Sequence, residues 1–353
     1  MNLDDWRSRI NQLDDEILKL LNQRGTAALR IGELKRQQDL PYFIPEREAQ
    51  VLERLVALNP GPLGADAIRV IWREILSASL ALEHPLAVAY LGPPGTFTHQ
   101  AATRRFGSSA QLRPVHTIAE IFDEVERSRA EFGVVPVENS TEGAVNVTLD
   151  RLIDSDVTIT GEMTLDISQH LISRATELAA VKMVCSHPQG LAQCRAWLAA
   201  HLPEAQTEET PSTAAAVERA RDDATVAAIA SDMAAAVHGV PVLRGRIEDN
   251  PANSTRFLVI GRRPVPPTGR DKTSILFSMK NEPGVLFSIL QPFATRRLNL
   301  TKIESRPTKR RPWEYVNFLD FEGHCETENV RDVLAEVRER CQFLKVLGSY
   351  PAA

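Results

Sequence analysis

The opening stretch constrains this chain more than any other. Apolar residues fall at Leu3, Trp6, Ile10, Leu13, Ile17, Leu20, Leu21, Ala28, Ile31 and Leu34, and their spacing alternates between three and four. That is the period of one long amphipathic helix. About 32 residues rising ~1.5 Å each give a rod of roughly 50 Å. Such a rod is too long for a compact monomer of 353 residues, so it needs a partner. Pro41 and Pro45 break it. A second helix is expected from Pro45 to Leu58, ended by Asn59-Pro60-Gly61-Pro62, and a third from Ala65 to Leu82. Together they read as a helical dimerisation domain.

The remaining length allows two or three domains in all. With 43% hydrophobic and 25% charged residues, the chain can bury real cores. No apolar run approaches the ~20 residues that span a bilayer. The start, Met1-Asn2-Leu3-Asp4-Asp5-Trp6, lacks the basic and apolar regions of a signal peptide, so a cytoplasmic location is the default. Cys185, Cys194, Cys325 and Cys341 form no CxxC pair and read as free thiols. Cys185-Ser186-His187 with Cys194 lacks a fourth ligand at any usual spacing, so no metal is expected. A net charge of −5 argues against general nucleic-acid binding but leaves anionic small molecules open.

Charges on the three helices narrow the function. Arg24 and Lys35 are eleven residues apart, three turns, so both point the same way about 16 Å apart along the axis. Two long side chains can converge across that gap on a small dianion. Arg7 lies about 25 Å from Arg24 on a different face and must reach any shared site from another subunit. Arg47 and Glu48 open the second helix; Ser79 and Glu83 share one face of the third.

In order and spacing this set resembles the active site of the all-helical chorismate mutases, intertwined dimers in which one arginine comes from the partner. The resemblance implies rearrangement of chorismate to prephenate with no covalent intermediate, by holding the reactive conformer and stabilising charge on the breaking ether. It assigns Arg7 and Arg24 to carboxylates, Lys35 to a carboxylate and the ether oxygen, and Glu48 to the hydroxyl, with Arg47 and Ser79 binding substrate. Many relatives carry an acidic residue where Ile44 stands, so one hydroxyl contact is weaker or comes from backbone. Glu83 stands where some relatives have Gln. A carboxylate donates to the ether oxygen only when protonated, so mutase turnover is expected to improve toward acid.

After His84-Pro85 the period changes. Leu86–Leu91 reads as a buried strand, followed by Gly92-Pro93-Pro94-Gly95-Thr96-Phe97 and a helix through Phe106. A strand, a Gly-rich turn and a helix start make an anion cradle. Phe97 and Thr98 stand where a nucleotide loop needs Gly and Lys, so a carboxylate is the expected anion. Strands and helices then alternate through Asp166. The cluster Pro136-Val137-Glu138-Asn139-Ser140-Thr141-Glu142-Gly143 offers Ser140 or Thr141 as a helix cap. A second lobe is expected to repeat the plan: strand 181–186, one helix from Pro188 to Ala200, a helix 214–220, strand 226–231, helix 232–238, and the strand Phe257–Ile260. Two lobes with chain crossings suggest a cleft.

GPPGTF, PVENSTEGAV, Ser186-His187-Pro188-Gln189 with Gln193-Cys194, and Asn253-Ser254-Thr255-Arg256-Phe257 together resemble prephenate dehydratase. That family has two α/β lobes, like a periplasmic-binding protein, with the site between them. The implied chemistry is decarboxylation of prephenate with loss of its ring hydroxyl. Thr255 is placed by resemblance as the key hydroxyl. It suits donation of a hydrogen bond more than of a full proton, and Glu138 is the alternative proton source. Arg256 suits a carboxylate. The resemblance implies that Thr96, Phe97, Asn139, Ser140, Ser186 and Gln193 orient substrate. No cofactor is required.

Beyond the Pro-rich linker 262–269, the expected order is strand, helix, two strands around Lys309-Arg310-Arg311, helix and strand, a ferredoxin-like βαββαβ pattern. Asn281-Glu282-Pro283-Gly284-Val285-Leu286 and Glu304-Ser305-Arg306-Pro307 resemble the ACT domain of prephenate dehydratases, where phenylalanine binds between paired domains and inhibits. Regulatory contacts are thereby implied at Gly284, Val285, Leu286, Glu304, Ser305, Arg306 and Pro307.

The chain therefore resembles the bifunctional chorismate mutase–prephenate dehydratases. The expected multidomain layout is an all-α mutase domain at 1–84, a two-lobed α/β dehydratase domain at 85–263 and an α+β ACT domain at 270–353. Chorismate and prephenate are the implied substrates, L-phenylalanine the inhibitor, and a homodimer or higher homo-oligomer the assembly. A dehydratase preferring arogenate, or a non-enzymatic amino-acid sensor, are the rivals.

Overall fold

The computed structural model describes residues 2–38, 40–280, 282–307 and 315–352. Asn281, the basic tip Lys309-Arg310-Arg311 and Trp313 lie outside the described residues. The chain divides into two compact units, residues 1–87 with 103–111 and residues 88–102 with 112–353.

The first unit is built on α1 (Leu3–Gln37), α2 (Pro45–Leu58) and α3 (Ala65–Glu83). An Asn2–Asp5 capping box starts α1, and Lys35 and Arg36 sit in its last turn, where cations complement the helix dipole. Gly25, Ala28 and Gly32 are its buried residues, so α3 approaches along a seam of small side chains. A Cβ on Gly32 would lie 3.0 Å from Glu83 Cα. Most of the apolar face is uncovered by this chain: Leu3 is 66%, Trp6 55% and Ile17 53% exposed. Residues 103–111, expected within the α/β segment, pack here instead. Arg73 Nη1 donates to Arg104 O at 2.9 Å, Ser108 N to Glu74 Oε2 at 3.1 Å, and Ser109 N to Ser77 Oγ at 3.3 Å.

After α3 the chain runs through β1 (Ala87–Leu91), α4 (Phe97–Phe106), whose last turn belongs to the first unit, β2 (Gln111–Val115), α5 (Ile118–Glu126), β3 (Phe132–Asn139), β4 (Gly143–Ala144), α6 (Asn146–Asp154) and β5 (Thr158–Asp166). The chain then crosses to a second lobe. It comprises β6 (His170–Ile172), β7 (Met183–Ser186), α7 (Pro188–Gln193), α8 (Arg195–His201), β8 (Gln206–Glu209), α9 (Thr213–Asp222), β9 (Val226–Ala230), α10 (Asp232–His238) and β10 (Val242–Arg244). The helix expected from Pro188 to Ala200 is interrupted at Cys194. Val145, not Ser140 or Thr141, takes the N-cap of α6.

β11 (Ser254–Gly261) corrects a larger expectation. It does not belong to the second lobe. It returns to the first and inserts antiparallel between β3 and β5, giving the order β2-β1-β3-β11-β5, while the second sheet runs β10-β6-β9-β7-β8.

The C-terminal part is β12 (Asp271–Ser278), α11 (Val285–Thr295), β13 (Leu300–Pro307), β14 (Tyr315–Glu322), α12 (Glu328–Arg340) and β15 (Phe343–Pro351), with sheet order β13-β14-β12-β15. Its two central strands, β12 and β14, are buried along most of their length because both faces of the sheet are covered there. Ile275, Phe277, Leu319 and Phe321 pack with Ile289 and Phe293 of α11 and Val333 and Val337 of α12. Leu276, Val316, Phe318 and Tyr350 pack instead against Val135, Ile159, Leu258 and Ile260 of the first lobe. Among the described residues no helix is long and apolar enough to cross a membrane.

Candidate active sites

The helical unit holds a cavity of about 450 Å³, open on one side, lined by Arg24, Lys35, Arg47, Glu48, Ser79 and Glu83 among others. Lys35 Nζ donates to Glu83 Oε2 and to Tyr42 O, both at 2.8 Å. Arg24 Nη1 donates to Ser79 Oγ. Burial lowers the Arg24 guanidinium from its ordinary value, opposed by the Glu83 charge. Ile44 caps α2 through its backbone alone and also lines the cavity. Arg7 is absent from the cavity lining; its side chain is 67% exposed and pairs with Asp4. Three cations and two carboxylates around an apolar-walled hollow suit a small dianion carrying a hydroxyl.

In the second unit Thr255 and Asn139 form a buried pair. Asn139 Nδ2 donates to Thr255 Oγ1 at 2.8 Å and to Asn253 Oδ1 at 2.9 Å, while its Oδ1 accepts from Thr141 N and Glu142 N, each at 3.0 Å. Those two backbone donors fix which end of the amide faces Thr255. They also fix Asn253, whose Oδ1 must face Asn139. Asn253 is 2% exposed, and among the described residues its Nδ2 meets no hydrogen-bond partner. Ser140 N donates to Ser254 O, and Ser140 Oγ accepts from Ser254 N, both at 2.9 Å.

The two lobe crossings run beside this pair. Ile167 N donates to Asn253 O at 2.9 Å and Ile247 N to Gln169 O at 2.8 Å. Gln169 Nε2 donates to Gln193 Oε1 at 3.0 Å. The Gly92–Thr96 turn reaches the second lobe, where Ser231 Oγ donates to Gly95 O at 3.0 Å. Thr96 Oγ1 donates to Leu91 O and accepts from His99 N, closing the turn before Phe97 begins α4.

Three of the residues expected in the dehydratase site have partners within the protein. Thr255 pairs in register with Asn139, and Arg256 with Glu138, so the second couple projects from the opposite face of the sheet. There Arg256 binds Asp320 and Glu162 and donates to Tyr350 Oη at 3.1 Å. Burial pulls the Arg256 guanidinium down, but Asp320, Tyr350 and Glu162 outweigh it and hold it above its ordinary value. Glu138 Oε2 lies 2.6 Å from Lys302 Nζ. Ser186 is fully buried and donates to Ile229 O at 2.7 Å, tying β7 to β9.

Of the regulatory set, Gly284 takes the left-handed backbone (φ 77°) that starts α11, next to Val285 and the exposed Leu286. Arg306 binds Asn146 at 2.6 Å and Asp150 at 2.9 Å, and Ser305 Oγ donates to Asn317 Oδ1 at 2.6 Å. Glu304 and Pro307 lie on the same strand, β13. Cys185 and Cys194 are buried, and burial pushes both thiols up.

Family models match in order: chorismate mutase type II at residues 6–84, prephenate dehydratase at 88–265 and the ACT domain at 273–339. The bifunctional chorismate mutase/prephenate dehydratase of Aquifex aeolicus is 50% identical over 99% of this chain and 98% of its own length. That of Pseudomonas aeruginosa is 46% identical, over 98% and 97%. The chain belongs to this bifunctional family. A solved prephenate dehydratase from Arthrobacter aurescens, in complex with L-Phe, is 35% identical over 76% of this chain and 90% of that one, with a TM-score of 0.70.

A bifunctional enzyme of this family has both activities, chorismate mutase and prephenate dehydratase. Sequence reasoning left several residues of the two candidate sites unassigned. Asn253 opened a quoted motif but carried no role. Gln169 gave no signal, standing alone before a three-residue strand. Tyr42 and Phe106 line the helical cavity, and Phe106 comes from beyond the mutase-like segment.

Proposed function

We propose that the helical cavity binds chorismate with Arg24 and Lys35 on its carboxylates, Lys35 also on the ether oxygen, and Glu48 on the hydroxyl. Arg47 and Ser79 complete the cradle, and Arg7 enters from a second copy of the chain. The bare apolar face of α1 supports that pairing. Rearrangement then needs positioning and charge stabilisation, with no covalent step.

Prephenate is next decarboxylated as its ring hydroxyl departs, and aromatisation drives the reaction to phenylpyruvate. Thr255 is the donor to the leaving oxygen. The observation that carries this is the Asn139–Thr255 contact: Thr255 Oγ1 accepts from Asn139, so its own O–H is available to donate outward. Glu138 projects from the other face, against Lys302, which favours Thr255 over it. Asn253 Nδ2 offers a further donor, and the Gly92–Thr96 turn before α4 suits a carboxylate. Arg256 acts by holding the strand.

L-phenylalanine inhibits by binding the ACT part at Gly284–Leu286 and the outward side of β13, between paired copies. The match to the ACT family and the relative solved with L-Phe support this. The test is phenylpyruvate production from chorismate, with and without phenylalanine, beside Thr255→Ala. Suppression by phenylalanine, with prephenate accumulating in the variant, is expected. Prephenate accumulating in the wild type, or full dehydratase turnover by Thr255→Ala, would overturn the dehydratase assignment.

A further inference from the structure

One ionic contact of the mutase cavity comes from outside the mutase-like segment. Glu48 Oε2 lies 2.9 Å from Arg105 Nη1, with the two side chains 13% and 19% exposed. Arg105 sits in the last turn of α4, within the stretch matched to prephenate dehydratase and beyond residues 6–84. Its guanidinium carbon lies 5.3 Å from the Phe43 ring centre and 5.6 Å from that of Phe106, within cation–π range. Phe43, Phe106 and Glu48 line the cavity; Arg105 stands behind them.

The segment carrying Arg105 is fixed. Arg73 holds Arg104 O, Glu74 holds Ser108 N, and Ser77 accepts from Ser109 N. Gly107 adopts φ 78°, and any Cβ there would strike Ser77. A free glutamate samples several rotamers, whereas one oxygen held by a rigid guanidinium leaves the other aimed and available as an acceptor.

We propose that Arg105 is a positioning residue for the mutase reaction, acting through Glu48, so that this enzyme completes its mutase site with a residue of its dehydratase segment. The proposal rests on Glu48 accepting the substrate hydroxyl. It also means that residues 1–84 alone lack part of the site.

The full-length chain tests this through Arg105→Ala, Arg105→Lys, Glu48→Gln and the double variant Arg105→Ala/Glu48→Gln. Chorismate kcat and KM are read for each, with turnover of added prephenate as the control for folding. Arg105→Ala is expected to lower mutase kcat/KM roughly tenfold, the scale of a charge-assisted hydrogen bond, with KM rising more than kcat falls. Lysine should restore most of it, since a point charge still reaches the carboxylate. In the Glu48→Gln background Arg105→Ala should add nothing. Impaired Glu48→Gln beside unimpaired Arg105→Ala would overturn the proposal alone, and so would additive losses in the double variant. Wild-type kinetics in Glu48→Gln would overturn the role of Glu48 and the proposal with it.

Discussion

Arg256 Nη1 stands 2.6 Å from Asp320 Oδ2, while its neighbour Thr255 faces the other side of the same strand. The hydroxyl proposed as the donor thus sits one residue from a clamp between the first lobe and the ACT sheet. Both ionic partners are largely buried, at 16% and 9% side-chain exposure. Removing one member of such a pair costs about 3–5 kcal/mol, because the other charge is left without its counterion. Asp320→Ala should therefore lower the melting temperature and the dehydratase rate while sparing mutase turnover. Calorimetry and the two assays check this; an unshifted melt would mean that Glu162 alone satisfies Arg256.

His99 sets a pH dependence. Burial holds its imidazole below the ordinary value, and its Nδ1 accepts from Gly95 N at 3.0 Å. Protonation would remove that acceptor. Because the folded-state value is depressed, the unfolded chain takes up the proton first. The contribution is full above about pH 6.5 and is lost as pH falls below it. His99→Asn keeps an acceptor that does not titrate, so its stability should fall less over the same acid range. Parallel melts of variant and wild type give the answer.

Glu83 accepts from Lys35 at 2.8 Å, so as a carboxylate it competes with the substrate for that ammonium. Glu83→Gln adds an amide donor and weakens the hold on Lys35. Mutase turnover at neutral pH should rise. An unchanged rate of chorismate consumption would count against the role.

Arg7 lies outside the cavity that holds Lys35. If it serves a partner's site, mixing Arg7→Ala and Lys35→Ala chains restores activity that neither has alone. A random dimer mixture should recover about a quarter of wild-type mutase activity, since half the dimers hold one intact site. No recovery after confirmed subunit exchange would place both residues in one chain's site.

Much of this was legible in the sequence. The three-and-four spacing gave α1 within three residues at its far end, and the βαββαβ order of the C-terminal part follows its own periodicity. Side-chain direction near Thr255 was not legible. Against β11, Phe257 pairs with Pro136 and Arg256 with Glu138, so Val137 is an extra residue on β3, a bulge that resets which side chains face which way. Alternation alone cannot reveal such a reset. Nor could it show that Arg256 already has Asp320, a residue 64 positions later, as its counterion. Short strands such as β6 and β10 carry too few residues to show any period.

The position of β11 also governs when the enzyme can become itself. Its neighbour β3 emerges from the ribosome long before it, with Asn139 and Ser254 115 residues apart. At ordinary elongation speeds that is a wait of roughly 6–23 s. Throughout it, the first lobe lacks a central strand and Thr255 does not yet exist, while the intervening lobe is a continuous stretch free to fold. The proposed dehydratase site is thus among the last structures the nascent chain can assemble, and the interval before β11 arrives is when chaperones would find an unfinished sheet to guard.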